Sequence, residues 1–485
     1  MDFARRGLYD LNGIIDLLAK NNDLIRVKTM VDPKFELAGI AQKLEGGKVV
    51  LFEATKGFKA PVLTGLLWNR EVLARIFKTT PEQLPFLIAD AISRWQTRPV
   101  APVVVERAPA NEVVEKVPDL NELPIPVHAL KDGGRYIDCG VFIAKDPDTG
   151  VRNASIHRCL IVGKDKMTVE LDLGRHIRDY YERAEARGNS LPLTISIGVG
   201  LDVYISAITP SAAAPIETDE LGIASEILGE PLKLVKAKTV PVEGVAYAQY
   251  IIEGEMLPKV RYWEGPFAEV TGYYARREKR HVVKVRAITR RKNPIFHTVL
   301  SGKEVYNSVG LLGEAAVFRL ISKLVPGITG VYFSHGGCGF YHAIVRMKKG
   351  REGAAKNAIL ATFAAFPSLK MVTVVDDDVD IYNAEDVEWA LATRLNPETG
   401  IIFVRDAICH ELNPSTKGGL GTKIGFDATC PFPKDETYER AKCMEVNLSR
   451  YLMEGWGQAP APPRVERPLK VTKKKGGPPA PWAVM

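Results

Sequence analysis

The chain has 485 residues, 46% hydrophobic and 25% charged, which suits two or three domains with apolar cores and exceeds what one small core can organise. Its net charge of +7 is the small difference between 65 basic and 58 acidic residues, and the tail run Lys473-Lys474-Lys475 carries part of it, so no basic face for nucleic acid is expected. No apolar run reaches about 20 residues and Met1–Gly13 lacks a secretory pattern, so no membrane partner is expected and the compartment is cytoplasmic.

In chain order, helical periodicity at Leu11–Asn21 leads to a strand at Ile25–Lys28, a helix at Phe35–Leu44, a strand at Val49–Glu53 and helices at Arg70–Phe77 and Glu82–Trp95. This alternation predicts an α/β region over residues 1–110, ending in a Pro-rich surface linker, Pro99–Pro109. Strand patterns then dominate, at Val141–Lys145, Ser155–Val162, Met167–Leu171, Leu193–Val199, Val203–Ile208, Ala246–Glu253, His281–Thr289 and Ile295–Leu300. Helices interrupt them at Arg175–Arg187 and Glu220–Leu228. That order predicts a β-barrel with inserted helices over residues 111–308, and the basic stretch Arg276–Lys284 reads as the start of a solvated edge strand. A second α/β domain, 309–457, follows from helices at Glu314–Leu324, Glu352–Phe363 and Ala384–Leu395 and strands at Gly330–Ser334, Tyr341–Met347, Met371–Val375 and Ile401–Arg405. Residues 458–485 are rich in Pro, Lys and Gly, and disorder is expected there. The six scattered cysteines, without a CxxC pair, read as reduced core thiols.

The hexapeptide Glu264-Gly-Pro-Phe-Ala-Glu269 sets two carboxylates five residues apart across a turn imposed by Gly265 and Pro266, which can aim both at one spot. Alone it would read as a surface turn with solvated acids. Trp263 and Phe267 beside them, with Tyr273 and Tyr274 beyond, predict an aromatic wall that desolvates the acids and raises a carboxyl pKa toward general-acid range. Arg158, closing Asn153-Ala-Ser-Ile-His-Arg158, is either a structural ion-pair residue or one that holds a carboxylate ionised and anchors an anionic substrate through its planar fork. Asn153 and Arg158 would face opposite sides of a regular strand, so a shared site requires Asn153 to precede the strand. His176 and Glu220 each open a predicted helix; with Asn153 they offer an imidazole, a carboxylate and an amide oxygen, a set suited to Mn²⁺ or Mg²⁺. Gly336-Gly-Cys-Gly339 reads as a tight turn, and Asp376–Asp378 as a solvated strand end.

These motifs, with Gly174-Arg-His-Ile177, Asp219–Glu230 and Gly419–Thr429, resemble the UbiD family of prenylated-FMN-dependent decarboxylases over roughly residues 8–455. The resemblance implies an N-terminal α/β region, a central split β-barrel of flavin-reductase type binding prenylated FMN, and a C-terminal α/β domain used in dimerisation, hence a homodimer or higher homo-oligomer. It implies a catalytic Glu-Arg-Glu network of Arg158, Glu264 and Glu269, with Glu269 the proton donor. Asn153, His176 and Glu220 become ligands of a divalent metal that ties the cofactor phosphate to the protein, with K⁺ a further candidate cation. Ser155, Ile156, Arg158, Arg175, His176 and Lys370 become cofactor-site residues, and Ser206 lies in the strand expected to line the flavin. A flavin prenyltransferase is the implied cofactor supplier. The implied reaction is reversible decarboxylation of an aromatic, hydroxybenzoate-like or other α,β-unsaturated acid, releasing CO₂. Specificity is expected from Glu264–Tyr274, Phe296–Leu300, Val305–Leu312 and His410–Gly419. Glu304-Val305 stands where many relatives have Glu-His, and Tyr306 and Asn307 are the candidates to replace that histidine's polar contact. Two alternatives stand beside this reading: a split-barrel flavin oxidoreductase, for which no GxGxxG follows a strand, and a non-catalytic nucleic-acid or scaffold module.

Overall fold

The structure, a computed structural model, describes residues 9–446 apart from 173, 212, 442 and 445; the tail 458–485 lies outside them. Residues up to Lys434 form one contact unit. In the unit beginning at Asp435, the described residues show a short turn, Glu436–Tyr438, started by the Asp435 side chain accepting from the Thr437 amide.

Helix α1 (Leu11–Lys20) begins where Asp10 accepts from the Asn12 amide and buries Leu11, Ile14, Ile15 and Leu18 on one stripe. It feeds β1 (Leu24–Val27), which pairs in parallel with β2 (Val49–Phe52); β3 (Val62–Thr64) and the two-residue strand Phe296–His297 complete a four-stranded sheet. Helices α2 (Glu36–Leu44), α3 (Arg70–Phe77) and α4 (Leu84–Thr97) belong to this layer. Within the Pro-rich linker, Val103–Val105 pairs in parallel with Lys233–Lys236. The linker is thus partly a strand, because its three valines lie between prolines that flank the pairing without interrupting it.

The centre is a nine-stranded sheet. Its strands are β4 (Tyr136–Ile137), β5 (Val141–Lys145), β6 (Arg152–Ile156), β7 (Cys159–Gly163), β8 (Lys166–Val169), β9 (Leu191–Ile197), β10 (Tyr250–Glu264) and β11 (Glu278–Arg290), in the order β4-β7-β8-β11-β10-β9-β5-β6, with Val113–Glu115 added on β11. Every neighbouring pair is antiparallel. Among the described residues no pairing joins β4 to β6, so the sheet is open. Alternation puts Phe142 and Ala144 in one core, with helix α5 (His176–Ala186), and Val141 and Ile143 in another, with α6 (Leu201–Ile208) and α7 (Leu221–Leu228).

Three expectations change here. Residues 203–208 are helical: an all-apolar run buried on both sides has no polar face to reveal its period, and its β-branched residues mimic a strand. The stretch Arg276–Lys284 begins an interior strand, since β11 lies between β8 and β10; its charges point outward at one end only. The strand expected at Ser155–Val162 breaks at His157-Arg158 into β6 and β7.

After α8 (Lys303–Leu324), strands β12 (Ile328–Phe333), β13 (His342–Met347), β14 (Met371–Asp376), β15 (Ile401–Ile408) and β16 (Leu420–Ala428) form a mixed sheet in the order β12-β13-β14-β16-β15, packed by α9 (Ala354–Ala365) and α10 (Ala384–Arg394). Helix α8 starts eleven residues before the expected Glu314 because Gly310 and Gly313 depress local propensity, while tertiary packing carries the helix through them. The Asp376–Asp378 strand end is solvated only at Asp377: Arg394, itself buried, donates to Asp376 and Asp378 at 2.8–2.9 Å. Among the described residues all six cysteines are free, Cys443 exposed and Cys338 half-buried, and no helix is long and apolar enough to cross a membrane.

Asp202, in the first turn of α6, is fully buried and neither carboxylate oxygen has a hydrogen-bond partner. Burial pushes its pKa up to about 8, only partly offset by amides of its own turn. The folded value lies above the unfolded value of about 3.9, so stability is intact at low pH and is lost as pH rises toward about 8. Asp202→Asn is expected to raise the melting temperature by several degrees above that pH and by less near pH 5, read by thermal denaturation across pH.

Candidate active site

Strand β10 ends on Glu264, which is fully buried, one residue after Trp263, which is 44% exposed. Gly265 then takes φ +88°, and a ribbon of Phe267–Ala268 against Tyr274–Ala275 turns the chain back. The turn is held from the side. The Gly133 amide donates to the Pro266 carbonyl at 2.8 Å, and a Cβ on Gly133 would stand 2.5 Å from the Gly265 carbonyl oxygen. Tyr136 of β4 donates to Glu264 Oε1 at 3.0 Å, and its hydroxyl accepts from the Gly265 amide at 3.1 Å.

Arg158 enters from the break between β6 and β7. Its Nε and Nη2 reach Glu264 Oε1 and Oε2 at 3.1 and 3.3 Å, its Nη1 donates to Glu269 Oε1, and Nη2 also reaches Glu170 Oε2 at 3.4 Å. The guanidinium lies 5.1 Å over the Phe267 ring, which packs on Tyr136. Glu170 is paired in turn with Arg280. Burial works against the Arg158 charge, but Glu269 and Glu264 hold its pKa well above the usual value. Burial pushes Glu269 above the ordinary carboxylate range against the pull of Arg158, and Asp172 and Glu264 add to the rise. Glu170 is raised by burial as well.

The predicted trio thus meets, with two corrections. Asn153 does not precede its strand; it lies inside β6, and the chain break after Ile156 frees Arg158 from strand parity. The Arg158 fork is fully engaged by acids and is not available to anchor a substrate. The aromatic wall is also thinner than expected. Phe267 is buried, whereas Trp263 faces outward under Arg277 and Lys279, at 5.1 and 5.5 Å, and Tyr273 and Tyr274 are exposed.

The second predicted trio also meets. Glu220 Oε1 accepts from Asn153 Nδ2 at 2.7 Å and lies 3.1 Å from His176 Nδ1, while Oε2 accepts from the Ala154 amide at 3.2 Å. Among the described residues no three His, Cys, Asp or Glu side chains gather to hold a metal, so a cation here would draw on the Asn153 amide; amide, imidazole and carboxylate are donors that hard divalent ions accept. Ser155 and His157 link the two trios. Ser155 Oγ lies 3.1 Å from Asn153 Oδ1 and 2.9 Å from His157 Nε2, and His157 Nδ1 meets the Glu170 carbonyl at 3.1 Å. Burial and the Arg175 charge lower the His157 pKa to about 4, so the ring is neutral.

Other predicted residues stand apart. Ile156, half-buried, ends β6, and Arg175 is exposed at the start of α5. Ser206 is in helix α6 rather than a strand, fully buried, its hydroxyl spent on the Asp202 carbonyl at 3.2 Å. Lys370 donates to Ser415 at 2.7 Å, in the loop that carries His410. Asn307 is consumed by Arg70, His335 and the Leu67 carbonyl, so it offers nothing to a substrate. Tyr136, Glu170 and His157 were missed as parts of the network. Tyr136 and Glu170 meet partners on other strands that no local spacing marks, whereas His157 lies two residues from its partner Ser155 and could have been found there. A cavity of about 1130 Å³ lined by Asn12, Arg26, Lys59, Tyr250 and Arg290 contains none of these groups; the chemistry of the acid cluster outweighs its size.

Family models describe the match: the 3-octaprenyl-4-hydroxybenzoate carboxy-lyase Rift-related domain covers residues 103–304, with the N-terminal domain at 15–92 and the C-terminal domain at 307–428. A Rhodospirillum rubrum protein described as an uncharacterized protein in the cooM 5′ region is 54% identical over 91% of this chain and 96% of its own length. Anhydromevalonate phosphate decarboxylase of Methanothermobacter thermautotrophicus is 35% identical over 86% of this chain and 97% of its own. The UbiD-class enzyme HmfF from Pelotomaculum thermopropionicum, solved with FMN, superposes with a TM-score of 0.87 at 37% identity, covering 91% of this chain and all of that one. The chain belongs to the UbiD family of carboxy-lyases.

Removing the shared cation should expose its importance. Arg158→Met leaves the fully buried Glu264 uncompensated and is expected to cost about 3–5 kcal/mol in urea unfolding at neutral pH, whereas Trp263→Ala, on the outer face of the same strand, should cost about 1 kcal/mol or less.

Proposed function

We propose that this member of the family is a prenylated-FMN-dependent carboxy-lyase acting reversibly on an aromatic, hydroxybenzoate-like or other α,β-unsaturated acid, with Glu269 as proton donor. The observation that carries the reading is the asymmetry of two acids on one arginine. Glu264 is fully buried, takes two bonds from Arg158 and one from Tyr136, and is thereby the partner fixed in place. Glu269 takes one contact from Arg158, keeps 12% side-chain exposure, and has a raised pKa. A buried acid that stays protonated nearer neutrality is suited to general-acid work.

Prenylated FMN, bound along the open nine-stranded sheet read as a split barrel, would supply the sink for the electrons released as CO₂ departs. The donor set fits its metal: Asn153, His176 and Glu220 would hold Mn²⁺ or Mg²⁺ against the cofactor phosphate, with Arg175 at the adjacent helix start. The protein's own step is proton delivery. As the carboxylate carbon leaves, Glu269 gives its proton to the carbon left behind, and Arg158 stabilises the glutamate so formed. In the carboxylating direction the ionised Glu269 takes the proton back. Phe267, Phe340, Tyr341 and His410 favour a planar unsaturated acid. A flavin prenyltransferase as cofactor source and a cytoplasmic homo-oligomer complete the reading.

Protein co-produced with a flavin prenyltransferase should carry modified FMN and exchange labelled CO₂ into an aromatic, heteroaromatic or enoic acid; unmodified flavin with no exchange into any acid would sink the proposal. Glu269→Gln should abolish exchange with the cofactor spectrum intact, and His176→Ala should lose metal by elemental analysis. Because a protonated Glu269 is required and its pKa is raised, decarboxylation should be present at low pH and fall as pH rises through that value, in a pH–rate profile of the loaded enzyme.

A further inference from the structure

The glycine turn at 336–339 leads into Phe340 and Tyr341 and sets both rings against His410. Ser334 accepts from the Gly337 amide at 3.1 Å, Cys338 and Gly339 adopt positive φ of 56° and 74°, and a Cβ on Gly339 would lie 2.5 Å from Tyr306 Cα. The turn therefore sits directly on α8, and only glycine fits there. Phe340 and Tyr341 follow, with ring centroids 4.4 Å apart, and His410 completes the group at 5.0 and 6.1 Å from them.

The Tyr341 hydroxyl is buried and has no hydrogen-bond partner. An unpaired buried hydroxyl is costly, and a ligand group can relieve that cost. Burial raises the phenol pKa, with Cys338 and Glu269 adding to the rise, so Tyr341 is a neutral donor within the field of the proton donor. His410 Nδ1 accepts from the Leu412 amide at 3.2 Å, which places the ring proton on Nε2. Burial lowers its pKa, with Asp172 and Glu411 opposing that fall and Arg175 adding to it. Meanwhile the Arg158 fork is spent on Glu264, Glu269 and Glu170.

We propose that Tyr341 Oη and His410 Nε2 form a donor pair that binds the substrate carboxylate opposite Glu269, making them the residues that select an acid and orient it. The assignment of the reacting end rests on the carboxy-lyase reading. Two neutral donors suit that task better than an arginine. The carboxylate charge disappears as CO₂ leaves, and an ion pair made only with the ground state would raise the barrier.

The test is calorimetric binding to the flavin-loaded protein of benzoate, 3,4-dihydroxybenzoate and crotonate, each beside its primary amide. At least one acid should bind about tenfold tighter than its amide. Tyr341→Phe, which removes one oxygen and no packing, should abolish most of that preference while amide affinity and the flavin spectrum stay unchanged; His410→Gln, which keeps a donor, should retain it and His410→Leu should not. A Tyr341→Phe protein that keeps the full acid preference, or an unaltered protein with none, overturns the proposal. Acid preference lost in Tyr341→Phe but no labelled CO₂ exchange in the unaltered protein would leave the donor pair standing and sink the carboxy-lyase reading instead.

Discussion

One guanidinium shared among three carboxylates sets the terms for everything around it. Arg158 contacts Glu264, Glu269 and Glu170, and among the described residues Arg280 adds a second positive charge on the Glu170 side. One buried and two partly buried acids against two arginines leave an excess negative charge, which a low-dielectric interior resists. The cheapest relief is to retain a proton on one acid, and burial raises the two that are less tightly bonded, Glu269 and Glu170. A ready proton is therefore a consequence of charge imbalance in a closed space. The architecture follows from the need to bring the charges together: one acid ends β10, one sits in the ribbon beyond it, one follows β8, and the arginine occupies a break between β6 and β7.

That break has a second role. A continuous strand would have sent Asn153 and Arg158 to opposite faces; the interruption lets one short segment serve two centres. Ser155 and His157 fill the interval with hydrogen bonds running from the Asn153 amide to the Glu170 backbone. Because the His157 ring is neutral and buried, its two nitrogens have fixed and complementary duties, one donating and one accepting.

Much of this was legible beforehand, and the exceptions have physical reasons. The pairing of carboxylates across Gly265-Pro266, the Arg158 partner and the convergence of Asn153, His176 and Glu220 were all visible as residue types at suggestive spacing. Ser206 was misplaced because an apolar segment buried on every side carries no period, so helix and strand look alike there. Trp263 was misjudged because β10 was expected to end at Glu253; the strand instead continues through an exposed stretch, Lys259–Trp263, and returns to the interior only at Glu264. Tyr136 and Glu170 were invisible for another reason. Their roles arise from sheet order, which places β4 beside β7 and β8 beside β11, and neither adjacency is written in local sequence. Asn307 looked like a polar lining residue and is instead a fastener between Arg70 and His335, a use set entirely by helix packing.

The division between a stiff sheet that holds the acids and a glycine turn with a loop that presents Tyr341 and His410 bears on how such a protein can change over time. On the donor-pair proposal, substitutions in the 410–419 loop would alter what is grasped without touching the balance of charge around Arg158, whereas Gly339 in the turn, Gly133 and Gly265 have no room for a side chain: a Cβ would meet Tyr306, the Gly265 carbonyl and the Arg276 carbonyl respectively. Drift in specificity should therefore be cheap and drift in the proton-handling core prohibitive. The Gly133–Gly265 contact acts as a ratchet, fixing the inherited chemistry while leaving the choice of acid open to selection.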